Sequence, residues 1–136
     1  MSIGTDIIEI KRIKKAVETS PRFLSKYFTQ VEIALFDTRQ GKSKYPTIAA
    51  NFAGKEAVAK ALGTGLGAVK LIEIEVLRSE QGAPVVSLHG QALTVYEQLM
   101  LAKHPVGYMP RSTEEGIHIS LSHSKAYAVA MVVIAG

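Results

Sequence analysis

The end of the chain restricts its fold more than any other stretch. Residues 126–134 read AYAVAMVVI, so both faces of an extended strand here would be apolar. A strand of this kind is typical of the centre of a sheet or of an interface. Residues 117–122 alternate apolar and polar side chains, and only residues 123–125 separate the two segments. Together they predict an antiparallel hairpin whose second strand is central or interfacial.

The other segments follow in an order that is typical of an α+β fold. A strand precedes several helices, and another helix separates the two predicted hairpins, so strands and helices do not alternate regularly. The sequence therefore predicts a single domain over residues 1–136, with an antiparallel sheet packed against a long helix and shorter helices. The remaining predicted strands span residues 2–8, 69–78 and 85–88, of which the last two would pair as a hairpin. The predicted helices span residues 10–17, 22–27, 29–38, 46–62 and 91–103. Thr29, followed three residues later by Glu32, is a capping-box pattern that predicts the start of the third of these helices.

Composition narrows the class of protein. The chain has no cysteine, which excludes a disulfide framework and fits a reducing compartment. No apolar run reaches about 18 residues, the length needed to span a membrane. The charges of the first segment, MSIGTDIIEIKRIKK, follow its apolar residues, which is the reverse of a secretory signal. We therefore expect a cytoplasmic protein without a membrane partner, and the net charge of +4 favours an anionic ligand or partner.

The long helix carries charges that its apolar surroundings do not explain. In FAGKEAVAKALGTG, residues 52–65, Glu56 and Lys60 lie at the margin of the apolar face and could form an i, i+4 ion pair. Lys55, however, points into the apolar sector. Gly54 costs about 1 kcal/mol relative to alanine inside a helix, which indicates close packing against it. The glycines at 63–67 either end the helix or offer backbone N–H groups to an anion.

Asp6 is a second carboxylate in an unusual position. Aspartate is disfavoured in strands, so Asp6 either caps the helix that begins near Glu9 or binds a metal ion. Two carboxylates from different elements, with lysines nearby, suit Mg²⁺ that is bound together with a phosphorylated substrate. Asp6 and Glu56 are therefore candidate metal ligands.

His123 is the third candidate. It continues the inward-facing side of the strand predicted at 117–122, where a histidine is either a structural residue or a ligand contact. Ser122, Ser124 and Lys125 bring hydroxyl groups and a cation to the same end, and this combination suits a phosphate. The four histidines lack the spacing of a zinc protease, so a zinc site is not expected.

The helix predicted at 10–17 is basic around a narrow apolar stripe. Four cations lie in these eight residues without a carboxylate, which indicates either a solvated face or a docking surface for an acidic partner. No aromatic residue interleaves with the cations, as base stacking in a nucleic-acid site would require. An acidic protein fits this surface as well as a nucleic acid does.

Several motifs together resemble one family. GTDIIEIKRI at 4–13, FAGKEAVAKALGTG at 52–65, GAPVVSLHG at 82–90 and HISLSHSKAYAVAMVVI at 118–134 are similar to segments of the holo-acyl-carrier-protein synthases, the small 4′-phosphopantetheinyl transferases. The resemblance covers most of the chain. It implies a Mg²⁺-dependent enzyme, in which Mn²⁺ could substitute, that transfers the 4′-phosphopantetheine group of coenzyme A to a serine of an acyl carrier protein. It also implies release of adenosine 3′,5′-bisphosphate and a role in fatty acid biosynthesis and lipid metabolism.

The resemblance implies roles for individual residues. Asp6 and Glu56 would bind Mg²⁺, and Glu56, Lys60 and His123 would act in catalysis. The base that takes the serine proton would be either Glu56, acting through a bound water, or His123. The residues implied to bind coenzyme A are Lys42, Lys44, Lys60, Gly63, Thr64, Gly65, Ser122, His123 and Ser124. Those implied to receive the acidic carrier protein are Lys11, Arg12, Lys15 and Arg22.

The resemblance further implies a homotrimer with active sites shared between subunits, which would account for the doubly apolar last strand. Asn51 stands where relatives usually carry arginine, so a phosphate contact would either be lost or pass to Lys42 or Lys44, and Gly54 replaces the usual alanine. The rival hypotheses are a non-catalytic relative that binds coenzyme A or a carrier protein, and a basic nucleic-acid-binding domain. The resemblance favours the enzyme, with no nucleic acid as partner.

Overall fold

Strands and helices of the described residues form an α+β fold, as predicted. The structure is a computed structural model and describes residues 1–63, 67–104, 106–107 and 112–135. In chain order its elements are β1 (Ser2–Glu9), α1 (Ile10–Thr19), α2 (Phe23–Tyr27), α3 (Gln30–Asp37), α4 (Lys44–Ala61), β2 (Ile74–Arg78), β3 (Pro84–Leu88), α5 (Gly90–Lys103), α6 (Thr113–Gly116), β4 (Ile117–His123) and β5 (Tyr127–Ile134), with 3₁₀ turns at Gly41–Ser43 and Leu71–Glu73.

The last strand is central in the larger sheet. The strand order is β1-β5-β4, and both pairings are antiparallel. The prediction of a central strand at the end of the chain is therefore confirmed. β2 and β3 form a separate antiparallel hairpin, which confirms the second predicted hairpin.

α4 lies at the centre of the core. One buried cluster joins it to the larger sheet, to β2 and β3 and to α5, and a second joins it to α1, α2 and α3. A helix that is covered on several sides has little solvated surface, which explains why α4 has so few polar residues. At Gly54 an added Cβ would lie 3.1 Å from Ile119 Cδ1 and 3.3 Å from Leu121 Cδ2, so the predicted close packing is confirmed.

The outer face of the larger sheet carries exposed apolar side chains on β1 and β5, whereas β4 presents His118, Ser120 and Ser122 on the same face. On β1, Ile3 is 64% exposed and Ile7 is 65% exposed. On β5, Tyr127, Val129 and Met131 are exposed on the same side, while the alternate residues of β5 are buried against α4. We call these five apolar residues the outer apolar face.

Local hydrogen bonds explain one confirmed and one wrong prediction. At the start of α3 the hydroxyl of Thr29 accepts from Glu32 N, and the Glu32 carboxylate accepts from Thr29 N, so the predicted capping box is confirmed. The strand predicted at 69–78 begins only at Ile74, because residues 71–73 form a 3₁₀ turn. Glu73 holds this turn by accepting hydrogen bonds from the backbone N–H groups of Lys70 (3.0 Å) and Gln91 (2.7 Å).

Within the described ranges, no helix combines the length and the apolar character needed to cross a membrane.

Candidate active site

β1 and α4 approach each other at Gly4 more closely than a side chain would allow. A Cβ added at Gly4 would overlap the carbonyl oxygen of Ala57 and would lie 2.9 Å from Ala61 N. Asp6 follows two residues later on the same face of β1. The contact between the two backbones therefore sets the distance between Asp6 and the last turns of α4.

Lys60 bridges the two elements. Its Nζ donates to Asp6 Oδ1 at 3.0 Å and to the carbonyl oxygen of Thr5 at 3.0 Å. The Lys60 side chain is 55% exposed and that of Asp6 is 18% exposed, so the ammonium is reachable from solvent. Lys60 therefore forms its ion pair with Asp6. The i, i+4 ion pair with Glu56, which the sequence offered, is not formed, although both residues are described.

Glu56 lies one turn before Lys60 on α4 and is half-buried. Burial and, after it, the negative charge of Asp6 raise the pKa of Glu56, while the charge of Lys60 opposes the rise. Asp6 and Glu56 are therefore close enough to repel each other in a partly desolvated position. A hard cation between them would relieve this repulsion.

The donor set fits Mg²⁺ better than a fully protein-ligated metal. The described part of the chain contains no cluster of three or more His, Cys, Asp or Glu side chains that could hold a metal ion. Asp6 and Glu56 would be the side-chain ligands. Mg²⁺ is usually bound by one or two carboxylates, and water or phosphate oxygens complete its octahedron.

A basic pocket of about 880 Å³ opens beside the end of β4. Its polar lining includes Lys14, Lys42, Lys125, His123 and Ser124, and no carboxylate lines it among the described residues. His123 Nδ1 lies 3.2 Å from the carbonyl oxygen of its neighbour Ser124 and is exposed. Three ammonium groups without a counter-charge would attract a phosphorylated ligand.

The pocket and the two carboxylates lie on the same side of the larger sheet. Asp6 is in register with Leu121 across β5, and His123 lies two residues further along β4. Side chains two residues apart share a face of the sheet and are separated by about 7 Å along the strand. The structure therefore groups the predicted site residues into two neighbouring sets, one around Asp6 and one around His123.

Other predicted ligand residues lie elsewhere. Ser122 is on the opposite face of β4 from His123, and Lys44 does not line the pocket. The N–H of Gly63 donates to the carbonyl oxygen of Lys60 at 3.0 Å, and Gly63 has a φ of 76°, so the structure favours helix termination over anion binding for this residue. Thr64 and Gly65 lie outside the described residues.

Lys14 and Tyr45 line the pocket although the sequence did not single them out for it. The Nζ of Lys14 lies 5.6 Å from the centre of the Tyr45 ring, a cation–π arrangement. A helical signal was available for Lys14, because it follows the pocket residue Ile10 by four positions and so lies on the same side of α1.

The predicted docking residues are all exposed cations, and we call these four residues the basic surface. Lys11, Arg12 and Lys15 are exposed on α1, whose Ile10 and Ile13 are buried. Arg22 is exposed directly before α2. α1, which carries three of these cations, follows directly after β1, the strand that carries Asp6.

The inward direction of Lys55 has a structural explanation. Its ammonium forms an ion pair with Glu32 Oε1 at 2.6 Å, and both side chains are fully buried. Burial lowers the pKa of Lys55 and raises the pKa of Glu32, and the attraction between the two charges opposes both shifts. Lys55 therefore does not face the carboxylates of the candidate site, although it neighbours Glu56 in sequence.

Asn51 belongs to the same buried network. Its amide nitrogen donates to Glu32 Oε2 at 3.2 Å and to the carbonyl oxygen of Val76 at 3.0 Å. Its amide oxygen accepts from Arg78 at 2.8 Å. The side chain is fully buried and all these partners are internal, so Asn51 itself is in no position to bind a phosphate.

Comparison with known proteins agrees with the resemblance. A family model for the 4′-phosphopantetheinyl transferase superfamily matches residues 2–131. The holo-[acyl-carrier-protein] synthase of Ruminiclostridium cellulolyticum is 46% identical over 136 residues, which cover 98% of this chain and 91% of that protein. The synthase of Clostridium botulinum strain Alaska E43 is 43% identical over 132 residues, covering 97% of this chain and 94% of that protein.

Solved structures share the fold. The holo-(acyl-carrier-protein) synthase of Bacillus anthracis, in complex with CoA (3′,5′-ADP), superposes with a TM-score of 0.72 at 32% identity, covering 98% of this chain and 94% of that one. The synthase of Helicobacter pylori in complex with coenzyme A has a TM-score of 0.75 at 30% identity, covering 98% of this chain and 99% of that one.

Proposed function

Since the chain belongs to the holo-acyl-carrier-protein synthases of the 4′-phosphopantetheinyl transferase superfamily, we propose that it transfers the 4′-phosphopantetheine group of coenzyme A to a serine of an apo acyl carrier protein. The products are the holo carrier and adenosine 3′,5′-bisphosphate. The observation that carries this proposal is the meeting of Asp6, Glu56 and Lys60 where β1 contacts α4.

In this reaction the serine hydroxyl of the carrier attacks the β-phosphorus of coenzyme A, and the bond to the nucleotide phosphate breaks. Asp6 and Glu56 would hold Mg²⁺, which when bound neutralises negative charge on the diphosphate. The half-exposed ammonium of Lys60 is available to donate to a phosphate oxygen of the leaving group, where charge develops. Positioning and charge stabilisation would account for most of the rate.

The serine proton needs an acceptor, and we assign this role to Glu56 acting through a water molecule. Glu56 is one of the two carboxylates that would hold Mg²⁺ beside the diphosphate, so a water molecule bound there would lie next to the attacking hydroxyl. The alternative base is His123. It lies two residues beyond Leu121, the β4 residue in register with Asp6, which is about 7 Å further along the strand. That position suits contact with the substrate better than proton transfer at the β-phosphorus.

The basic pocket would bind a phosphate group of coenzyme A remote from the reacting phosphorus. Lys42, His123 and Ser124 are the predicted ligand residues that line it, and Lys14 and Lys125 add two positive charges. Coenzyme A carries a 3′-phosphate in addition to its diphosphate, so one elongated substrate can occupy both sets of residues.

We also assign the protein partners from its surfaces. The basic surface of Lys11, Arg12, Lys15 and Arg22 would receive an acidic carrier protein or carrier domain. The outer apolar face would be covered by further copies of the chain in a homotrimer with shared active sites, because so large an exposed apolar surface is unusual in a monomer. We further propose that this activity serves fatty acid biosynthesis in the cytoplasm.

The experiment that tests this function is a mass measurement on the carrier. The protein is incubated with a panel of apo carrier proteins, coenzyme A and Mg²⁺, and a parallel reaction contains a chelator. We expect a mass gain of one phosphopantetheine group on at least one carrier, lost with the chelator and restored by Mg²⁺ or Mn²⁺. Binding of coenzyme A without any mass gain across the panel would instead support the non-catalytic relative.

A further inference from the structure

The buried ammonium of Lys55 donates three hydrogen bonds within the protein. Its Nζ donates to Glu32 Oε1 at 2.6 Å, to the carbonyl oxygen of Leu71 at 3.1 Å and to that of Ile74 at 2.5 Å. An ammonium has three N–H donors, so all of them are used. The same Nζ also lies 5.1 Å from the centre of the Phe28 ring.

Stability alone does not explain this arrangement. Removing two charges from water is costly, and a buried ion pair often contributes no more to stability than apolar side chains of similar volume. Apolar residues already surround this part of α4. A methionine at position 55 could fill the space, but it could not bind two backbone carbonyl groups and a carboxylate.

Those bonds join three parts of the chain next to the candidate site. Glu32 belongs to α3, and its carboxylate also accepts a hydrogen bond from the backbone N–H of Val76 on β2. Leu71 and Ile74 lie in the segment through which the chain returns after α4. Lys55 itself is the residue before Glu56. The ammonium therefore fixes α3 and the returning segment against the turn of α4 that carries Glu56.

We propose that Lys55 is a positioning residue of the transferase: through Glu32 and the carbonyl groups of Leu71 and Ile74, it holds α4 and the returning segment 71–76 in the arrangement that presents Glu56 to the metal and the diphosphate. This rests on the proposed function. Lys55 does not touch the substrate, and its effect reaches the reaction through the placement of Glu56.

The test removes the charges without leaving one of them unpaired. The double variant Lys55→Met/Glu32→Gln is compared with the wild type and with Ile134→Val, a core variant whose site on β5 lies away from this network. Thermal unfolding, kcat, and the KM values for coenzyme A and for the carrier are measured, together with the Mg²⁺ concentration that gives half-maximal rate. Assays are run well below the melting temperature of every variant.

We expect the double variant to remain folded, with kcat/KM for coenzyme A reduced about ten- to a hundredfold and the half-maximal Mg²⁺ concentration raised, because loss of an orienting partner typically costs this much. The KM for the carrier should not change, and Ile134→Val should keep wild-type kinetics. Amide hydrogen exchange of residues 71–76 should be faster in the double variant only.

A folded double variant with wild-type kinetics, or with unchanged hydrogen exchange at residues 71–76, overturns the proposal. If the double variant does not fold, Lys55→Gln/Glu32→Gln decides by the same measurements, because it also removes both charges together and leaves at position 55 an amide that can donate a hydrogen bond. An inactive wild type with every carrier would refute the proposed function instead, and the hydrogen-exchange comparison would still test the structural part of the inference.

Discussion

Replacing Gly4 with alanine should inactivate the enzyme by moving Asp6 away from Glu56. The added methyl group has no free space, because it would overlap the carbonyl oxygen of Ala57 and lie 2.9 Å from Ala61 N. Both are backbone atoms inside α4, which cannot turn aside as a flexible side chain can. β1 must therefore move away from the helix, by roughly 1.5 Å before ordinary van der Waals separation is reached.

A displacement of this size should lower stability and activity by comparable free energies, since a hundredfold in rate corresponds to about 2.7 kcal/mol. Overpacking of a core typically costs about 1–3 kcal/mol, and a misplacement of about 1 Å in a catalytic group can cost on the order of a hundredfold in rate. Asp6 is two residues from Gly4 and shares its face of β1, so it moves with the strand. We therefore expect a folded Gly4→Ala protein whose kcat falls on the order of a hundredfold.

The matched control is Gly54→Ala, the same substitution at the other close approach of α4. There the nearest atoms are side-chain methyl groups, Ile119 Cδ1 at 3.1 Å and Leu121 Cδ2 at 3.3 Å, which can shift by a few tenths of an ångström. Alanine also gains about 1 kcal/mol over glycine in a helix, so we expect unchanged activity and equal or higher stability. Transfer assays and thermal unfolding are measured for both variants. Wild-type activity in a folded Gly4→Ala protein would refute the argument that this glycine sets the distance from Asp6 to Glu56.

Three further predictions address single side chains. Glu56→Gln should abolish carrier modification without changing the melting temperature by more than a few degrees, because it removes a metal ligand and the assigned base; substantial activity in the mass assay would contradict the metal assignment. Arg12→Glu should raise the KM for the carrier roughly tenfold at low salt and leave the KM for coenzyme A unchanged. The control is Lys70→Glu, the same change of charge sign at an exposed position outside the basic surface, which should alter neither KM value. The backbone N–H of Lys70 lowers the pKa of Glu73, so the stabilisation is present above the unfolded pKa and is lost as pH falls through the lower folded pKa. The melting temperature of Glu73→Gln should therefore lie below that of the wild type at neutral pH and converge with it in acid; a constant gap over the titration would contradict this origin.

The fold was predictable wherever the controlling interactions are local. The capping box of Thr29 and Glu32 joins residues three apart, and the final hairpin joins strands that are separated by only a short turn. The strand predicted at 69–78 failed for the opposite reason. Its first half is held as a 3₁₀ turn by Glu73, whose second hydrogen bond is to Gln91 in α5, and periodicity carries no information about a partner at that separation.

The candidate site was predictable as a set of residue types but not as a geometry. The sequence indicated that Asp6, Glu56 and Lys60 carry unexplained charge. It offered Glu56 as the partner of Lys60, since the two are four residues apart on a helix. The partner in the structure is Asp6, 54 positions away. Tertiary packing decides this choice, because the contact at Gly4 brings the carboxylate of β1 within reach of a lysine that would otherwise be solvated.

Glu32 shows why the position of Lys55 could not be explained from the sequence. A charge that points into an apolar sector requires a buried partner, and carboxylates elsewhere in the chain are the candidates. Glu32 already had a complete local role in the capping box, so nothing in the pattern assigned it a second one. In the structure one carboxylate performs both functions: Oε1 accepts from Thr29 N and from Lys55 Nζ, and Oε2 accepts from Asn51 and Val76 N. Glu32 therefore both caps the start of α3 and neutralises the buried Lys55 of α4. A substitution at either position affects both helices.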